Sequence, residues 1–316
     1  MMKALNLRVV VILAALALLA LVPPVMTALN QPFYLELFAR IMVFAIAALS
    51  LDLILGYGGM VSFGHAAYLG IGGYAVAILS HYGVGDGFLH FGVAVVASAA
   101  VAFVIGAISL RTSGVYFIMI TLAFCQMLYF LGISIEEFGG DDGINTSRSD
   151  FGSLIDLSDP ATLYYFILAF LAVFLYLLYR LVNSRFGMVI RGINSNERRM
   201  RSLGFATFRY KLLAFVIAGV ICGVAGALLA NLTQFVTPTI MRWERSGEIL
   251  VMVLMGGMGT LFGPVLGTAV FLLLEEYLAA LTEHWMVIFG PFLVLLVLFA
   301  RRGIYGLIPE RNAKNG

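Results

Sequence analysis

The sequence predicts an all-α polytopic membrane protein with about 8–10 transmembrane helices, some short or broken. Three observations carry this. Hydrophobic residues make up 62% of the chain and charged residues 11%, whereas a soluble domain is nearer half apolar and a quarter charged. The apolar residues fall in runs of bilayer-spanning length. The charges are segregated: residues 183–211 are basic and residues 134–161 acidic. All of residues 1–316 read as one transmembrane domain. The 34 glycines favour close helix packing and helix breaks over a leucine-rich bundle.

In chain order, Lys3 and Arg8 precede the first run, 9–29, which carries Pro23 and Pro24 near its far end. The run is longer than a typical secretory-signal core, so a retained helix is expected. The second run, 33–55, carries Arg40 and Asp52 and ends at Gly56-Tyr57-Gly58-Gly59. Runs 61–80, 91–110 and 114–133 follow, separated by a polar loop at 81–90 and by Arg111-Thr112-Ser113. Run 162–182 leads into the basic loop and 212–232 leaves it.

A basic loop between spans marks the cytoplasmic side. Counting outward from it puts the acidic loop outside and both termini inside, where Lys3, Arg8 and Arg301-Arg302 agree. Residues 247–258 are apolar but short, roughly 18 Å as a helix, against a ~30 Å hydrocarbon core. With the run reaching 281 they form either a short span plus a full one or a re-entrant pair. The last run is 285–300. Gly58-Gly59-Met60 with Ser62 and Phe63-Gly64 is echoed by Gly256-Gly257-Met258 with Thr260 and Phe262-Gly263. Two breaks in corresponding places suggest an internal repeat with the transport path between the halves.

The basic loop holds Arg185, Arg191, Arg198, Arg199, Arg201, Arg209 and Lys211 against Glu197 alone. Asn194 with Glu197 three residues on reads as a capping box, and Gly204 as a helix stop. The short helix between them presents Met200 and Leu203 on one face. At that length it needs a surface to lie on. Lipid headgroups or a partner protein would serve, and positive-inside bias alone also accounts for the arginines.

The remaining chemistry is sparse. No Gly-Lys pair occurs, so the chain has no P-loop of its own. No zinc-protease or nucleophile-elbow motif is present, and the sequence reads as a non-enzyme without metal or nucleic-acid site. Cys125 and Cys222 sit in apolar runs as packing residues. Asp52 and His65 are expected to pair with each other or cap backbone. Glu275 or Glu276 would be needed by an ion-coupled carrier. Ser62, Gly64, His65, Tyr68, Gly72 and Tyr74 in one stretch, and Gly256, Gly257, Gly259 and Gly263 in the other, are candidates for a translocation pathway. Broken, glycine-rich helices free backbone groups for a zwitterion there.

Four stretches carry a resemblance: 62–74 (Ser62-Phe63-Gly64-His65 through Gly72-Gly73-Tyr74), Gly139-Gly140-Asp141-Asp142-Gly143-Ile144, Asn196-Glu197-Arg198-Arg199 through Ser202-Leu203-Gly204 with Tyr210-Lys211-Leu212, and Ser246-Gly247-Glu248-Ile249 through Gly256-Gly257-Met258-Gly259-Thr260-Leu261-Phe262-Gly263-Pro264. In order and spacing the chain resembles the inner-membrane permease of bacterial branched-chain amino-acid ABC importers, from about residue 35 to about residue 302. Phe138 departs from it, standing where that family commonly has Thr. The resemblance implies a second, similar permease, two cytoplasmic ATP-binding subunits and a periplasmic substrate-binding protein as partners, with ATP held by another chain. It implies ATPase coupling through Arg191, Asn194, Glu197, Arg198, Arg199, Met200, Ser202, Leu203, Gly204 and Phe205, and alternating access of an aliphatic amino acid. Relatives that carry urea or short amides leave the substrate open.

Overall fold

The computed structural model describes residues 7–29, 31–152, 155–282, 284, 287, 289–291 and 303–304. Among them the chain forms ten α-helices and one two-stranded ribbon. The helices are α1 (Leu7–Ala28), α2 (Pro32–Asp52), α3 (His65–His81), α4 (Gly87–Ser109), α5 (Val115–Ser134), α6 (Pro160–Val182), α7 (Arg185–Ser202), α8 (Thr207–Thr233), α9 (Trp243–Gly256) and α10 (Gly263–Leu281). The strands are β1 (Ile144–Asn145) and β2 (Phe235–Val236). Six helices are long and apolar enough to cross a membrane: α2 with its extension to Tyr57, α4, α5, α6, α8 and α10. The protein is an all-α, multi-pass membrane protein. Most of the last apolar run, Lys3 and Arg301-Arg302 fall outside the described residues.

The centre is α2 and α8, whose sides are mostly buried, while α4, α5 and α6 turn most of their surface outward. The seam between α3 and α8 is backbone against backbone. Gly72 lies on the carbonyl of Gly223, and Gly226 lies on the carbonyl of Leu69. Small residues allow this approach, and van der Waals contact then holds the helices where lipid offers no hydrophobic drive.

At one end of the bundle the acidic segment is tied down. Ile144 pairs with Val236 and Asn145 with Phe235. Ser149 N donates to Asn231 Oδ1 at 2.7 Å, and the Ser149 hydroxyl meets buried His90 Nδ1 at 2.8 Å. Asp86 caps α4 and Asp159 caps α6 through their carboxylates. The ends of α3, α5 and α8 therefore share one end of the bundle, as the alternation read from the sequence requires.

Helix α1 is packed into the body. Pro23 and Pro24 have no N–H, so the carbonyls of Leu19 and Ala20, four residues earlier, lose their helical donors. Tyr164 Oη donates to Leu19 O at 2.9 Å and Tyr165 Oη to Ala20 O at 3.1 Å. Replacing both tyrosines by Phe should lower the melting temperature of the detergent-purified protein by about 2–4 °C per bond that matters, each being worth about 1 kcal/mol. An unchanged melting temperature would show that α1 is held by apolar packing alone.

Residues 247–281 form the end of a short helix, α9, followed by a longer one, α10, and of the two only α10 is long and apolar enough to cross a membrane. Helix α9 spans about 21 Å. It begins in the middle of the bundle, where Ser246 meets Ala66, and ends at Gly256, where Gly303 stands against Gly256 and Gly257. Helix α10 then runs back, placing Glu275 in the field of Arg40 and Arg245.

Candidate functional site

Two regions concentrate function-bearing side chains. The first is α7 at the basic end. Its cap differs from the capping box expected at Asn194 and Glu197. Ser184 caps the helix start by accepting from Gly187 N. The helix then kinks at Asn196, which takes φ −160° and ψ 96°. Asn196 Oδ1 accepts from Arg199 N at 3.0 Å, so the cap is Asn196 and not Asn194. Asn196 leaves the helical region and restarts the helix, a step that a spacing rule applied two residues early misses.

Glu197 has another role. Its Oε1 accepts from Arg201 at 2.6 Å and from Thr207 Oγ1 at 3.1 Å, and its Oε2 accepts from Lys211. It thereby ties α7 to the first turns of α8. Burial pushes its carboxyl up, but the Lys211 and Arg201 hydrogen bonds outweigh this and hold it below its ordinary value. The sign follows. Stability from a depressed carboxyl is fully present above the unfolded value, ~4.3, and is lost as pH falls through the lower folded value. The thermal stability lead of the parent over Glu197→Gln should therefore be steady near neutral pH and shrink below about pH 4. Melting scans of both proteins across that range check it, and a lead that persists in acid contradicts it.

Gly204 ends α7 at φ +88°, with Phe205 N donating to Met200 O and Gly204 N to Arg201 O. This is a Schellman closure, which a glycine in left-handed conformation permits. It divides the face expected to carry both Met200 and Leu203. Met200 turns inward over Gly192, whereas Leu203 is 65% exposed. Arg191 donates to Val182 O at 2.9 Å, and Asn194 donates to Gly56 O at 3.4 Å. Arg191, Asn194, Glu197 and Met200 thus hold α7 in place. Arg198, Arg199, Ser202, Leu203, Gly204 and Phe205 are exposed. Neither Arg198 nor Arg199 has an ion-pair partner among the described residues.

The second region is mid-bundle, where the N-termini of α3 and α9 meet. Ser246 Oγ accepts from Ala66 N at 2.9 Å, so a side chain of α9 satisfies the first turn of α3. Phe63 N donates to Thr121 Oγ1 at 3.2 Å, and Ser62 Oγ accepts from Gly64 N. The rings of Phe63 and Trp243 lie 6.5 Å apart. The start of α9 thus lies against the start of α3, and the N–H groups of Phe63, Gly64 and Ala66 are taken up by Thr121, Ser62 and Ser246. Of the pathway candidates, Ser62, Gly64 and His65 stand at this junction.

His65 Nε2 meets Ser50 Oγ at 2.9 Å, and Asp52 Oδ1 accepts from Gly259 N at 2.8 Å. Asp52 and His65 thus bind backbone and hydroxyl and not each other. Among the described residues the buried Tyr68 and Tyr74 hydroxyls have no hydrogen-bond partner. Gly72 is part of the α3–α8 seam. Gly256 and Gly263 pack on each other, and Gly257 and Gly259 lie in the α9–α10 break at φ +109° and +69°. The two echoing segments converge, since Gly56 packs on the Gly259 backbone.

Sequence reasoning missed Trp243, Ser246, Thr121 and the charge cluster around Glu275. Glu248, in the second turn of α9, pairs with Arg245. The α9 start lies at Trp243, so the polar Arg242-to-Ser246 stretch was a helix turn that read as a loop. Among the described residues the buried Gln126 Oε1 has no hydrogen-bond partner.

Residues 33–298 match the family described as "Branched-chain amino acid transport system / permease component". The chain is 28% identical to the high-affinity branched-chain amino acid transport system permease protein LivM of Escherichia coli, over 96% of this chain and 77% of that protein. It is 29% identical to LivM of Salmonella typhimurium over the same shares. Against the probable branched-chain amino acid transport permease protein LivM of Methanocaldococcus jannaschii it is 24% identical, over 85% of this chain and 91% of that one. No solved structure matches. With most of its length matched and its spans in place, the chain belongs to the family of branched-chain amino acid transport permease components.

Proposed function

We propose that this permease component works as one half of the membrane channel of an ATP-driven importer and moves branched-chain, aliphatic amino acids inward by alternating access. The observation that carries this is the exposed surface from Arg198 to Phe205. Arg198 and Arg199, without an ion-pair partner among the described residues, stand there with exposed Leu203 and Phe205, on a helix that Glu197 bonds to the membrane-crossing α8. A motor docked there moves α7 and α8 together. The ATP comes from two cytoplasmic ATP-binding subunits, which fits a chain without a P-loop. A second, similar permease completes the channel. A periplasmic binding protein delivers substrate at the acidic end.

In this reading the protein sits in the bacterial inner membrane with the basic end and both termini in the cytoplasm. The substrate passes the junction of α3 and α9, beside the glycine-rich breaks. An ion-coupled carrier through Glu275 or Glu276 is the competing reading. Proteoliposomes holding the whole complex decide the matter. ATP-dependent uptake of labelled leucine is expected, with none from this chain alone under a proton or sodium gradient. Uptake of urea in place of leucine overturns the substrate, and gradient-driven uptake by the lone chain overturns the mechanism. Cysteine labelling at position 199 from the cytoplasmic side only is expected, and periplasmic labelling reverses the orientation.

A further inference from the structure

The junction between α3 and α9 lies deep in the bundle, yet a continuous series of contacts links it to α7. The series starts at Asn194. Its Nδ2 donates to Gly56 O, and its side chain fills the space over Gly59, where a Cβ would collide with it. Gly59 takes φ +67°, so the turn accepts that side chain only because position 59 carries none of its own. The turn is set up by a π-helical segment, Leu53–Tyr57, at the end of α2. Such widened turns are rare in helices and often mark functional places.

The next contact is Asp52, the residue before that segment. It is 2% exposed, and its Oδ1 accepts from Gly259 N at 2.8 Å. Gly56 packs flat on the same Gly259 backbone. Gly259 lies in the break that separates α9 from α10. From that break α9 runs unbroken to Ser246, whose Oγ holds Ala66 N. Helices are stiff over this length, so a shift at Gly259 moves the Ser246 end. At 2.8 Å the bond from Gly259 N to the buried Asp52 side chain is the shortest hydrogen bond in the series.

We propose that Asp52 is a positioning residue that transmits the movement of α7 to α9, through Asn194, the Gly56–Gly59 turn and Gly259. It touches no substrate. Its effect is to couple a docked motor at the basic end to the opening of the helix junction in mid-membrane. The inference rests on the docking reading given above.

The test is the ratio of leucine transported to ATP hydrolysed by the reconstituted whole complex. Asp52→Leu removes the acceptor, while Asp52→Asn keeps a carbonyl oxygen in its place. The expected result is a ratio reduced about tenfold in Asp52→Leu and restored to within about twofold in Asp52→Asn, with ATP hydrolysis itself maintained. A purely structural role would lower the yield and leave the ratio of the surviving complexes unchanged, and that result overturns the proposal. Should Asp52→Leu fail to assemble, Asn194→Ala carries the test, because Asn194 is exposed and outside the core. Its ratio is expected to fall about threefold, and an unchanged ratio overturns the proposal. The two readings fail differently. Wrong docking shows as ATP-binding subunits still co-purifying with an Arg198→Glu, Arg199→Glu double variant, whereas a wrong linkage shows as an intact complex with normal coupling.

Discussion

Reversing both charges, Arg198→Glu with Arg199→Glu, should remove the ATP-binding subunits from the purified complex. The two guanidinium groups are exposed and have no ion-pair partner among the described residues, so their reversal leaves the fold of α7 intact. An interface that buries charge pairs with this helix loses attraction and gains repulsion, a change of 2–5 kcal/mol in comparable cases. Co-purified ATPase should fall by at least about tenfold, since about 1.4 kcal/mol is one decade. Leu203→Asp should do the same by placing a charge on the apolar knob next to them. Arg191→Ala tests the specificity of the effect, because that side chain binds Val182 O and not a partner. It should loosen the turn between α6 and α7 while ATPase still co-purifies. If the double reversal keeps its ATPase, the exposed face of α7 is not the docking surface.

Gly72→Val should abolish the folded protein. A Cβ on Gly72 would lie on the Gly223 carbonyl carbon and oxygen, which are backbone atoms and cannot rotate away. Helices α3 and α8 would have to separate along a seam whose contacts are its main stabilisation. Overpacking of this kind costs about 1–3 kcal/mol or more, and the seam borders the buried α8 at the centre. The yield of monodisperse protein in detergent should fall by more than about fivefold. Gly92→Val is the control: that glycine, on α4, faces open space and its substitution should leave the yield unchanged. Normal yield and melting temperature for Gly72→Val would mean that the seam is looser than its geometry.

Much of this molecule is readable in its chain because a bilayer imposes simple rules. A span must be long and apolar, so α2, α4, α5, α6, α8 and α10 appear as runs before any coordinates are seen. The opposed charge of residues 134–161 and 183–211 separates the two ends. Gly204 is legible as a stop, since one positive-φ residue closes the helix. The polar interior is less legible. Asp52 and His65 lie thirteen positions apart, near the same turn, and pairing them is the natural guess. In the fold each takes a different partner, Gly259 and Ser50. The Gly259 link spans 207 positions, and no local pattern encodes it. The same holds for Ser246, which satisfies the start of α3 from 180 positions away.

By itself the sequence determined the all-helical, multi-pass class, the order of the spans and the segregation of charge, because hydrophobic length and net charge are local properties. Only the tertiary structure decided which polar groups satisfy each other, that the α9–α10 segment is a short helix followed by a full one, and which arginines of α7 are exposed. The reason is that a buried donor or acceptor away from water takes whichever partner the packing brings within about 3 Å, and that partner is chosen by helix contacts the order of residues does not display.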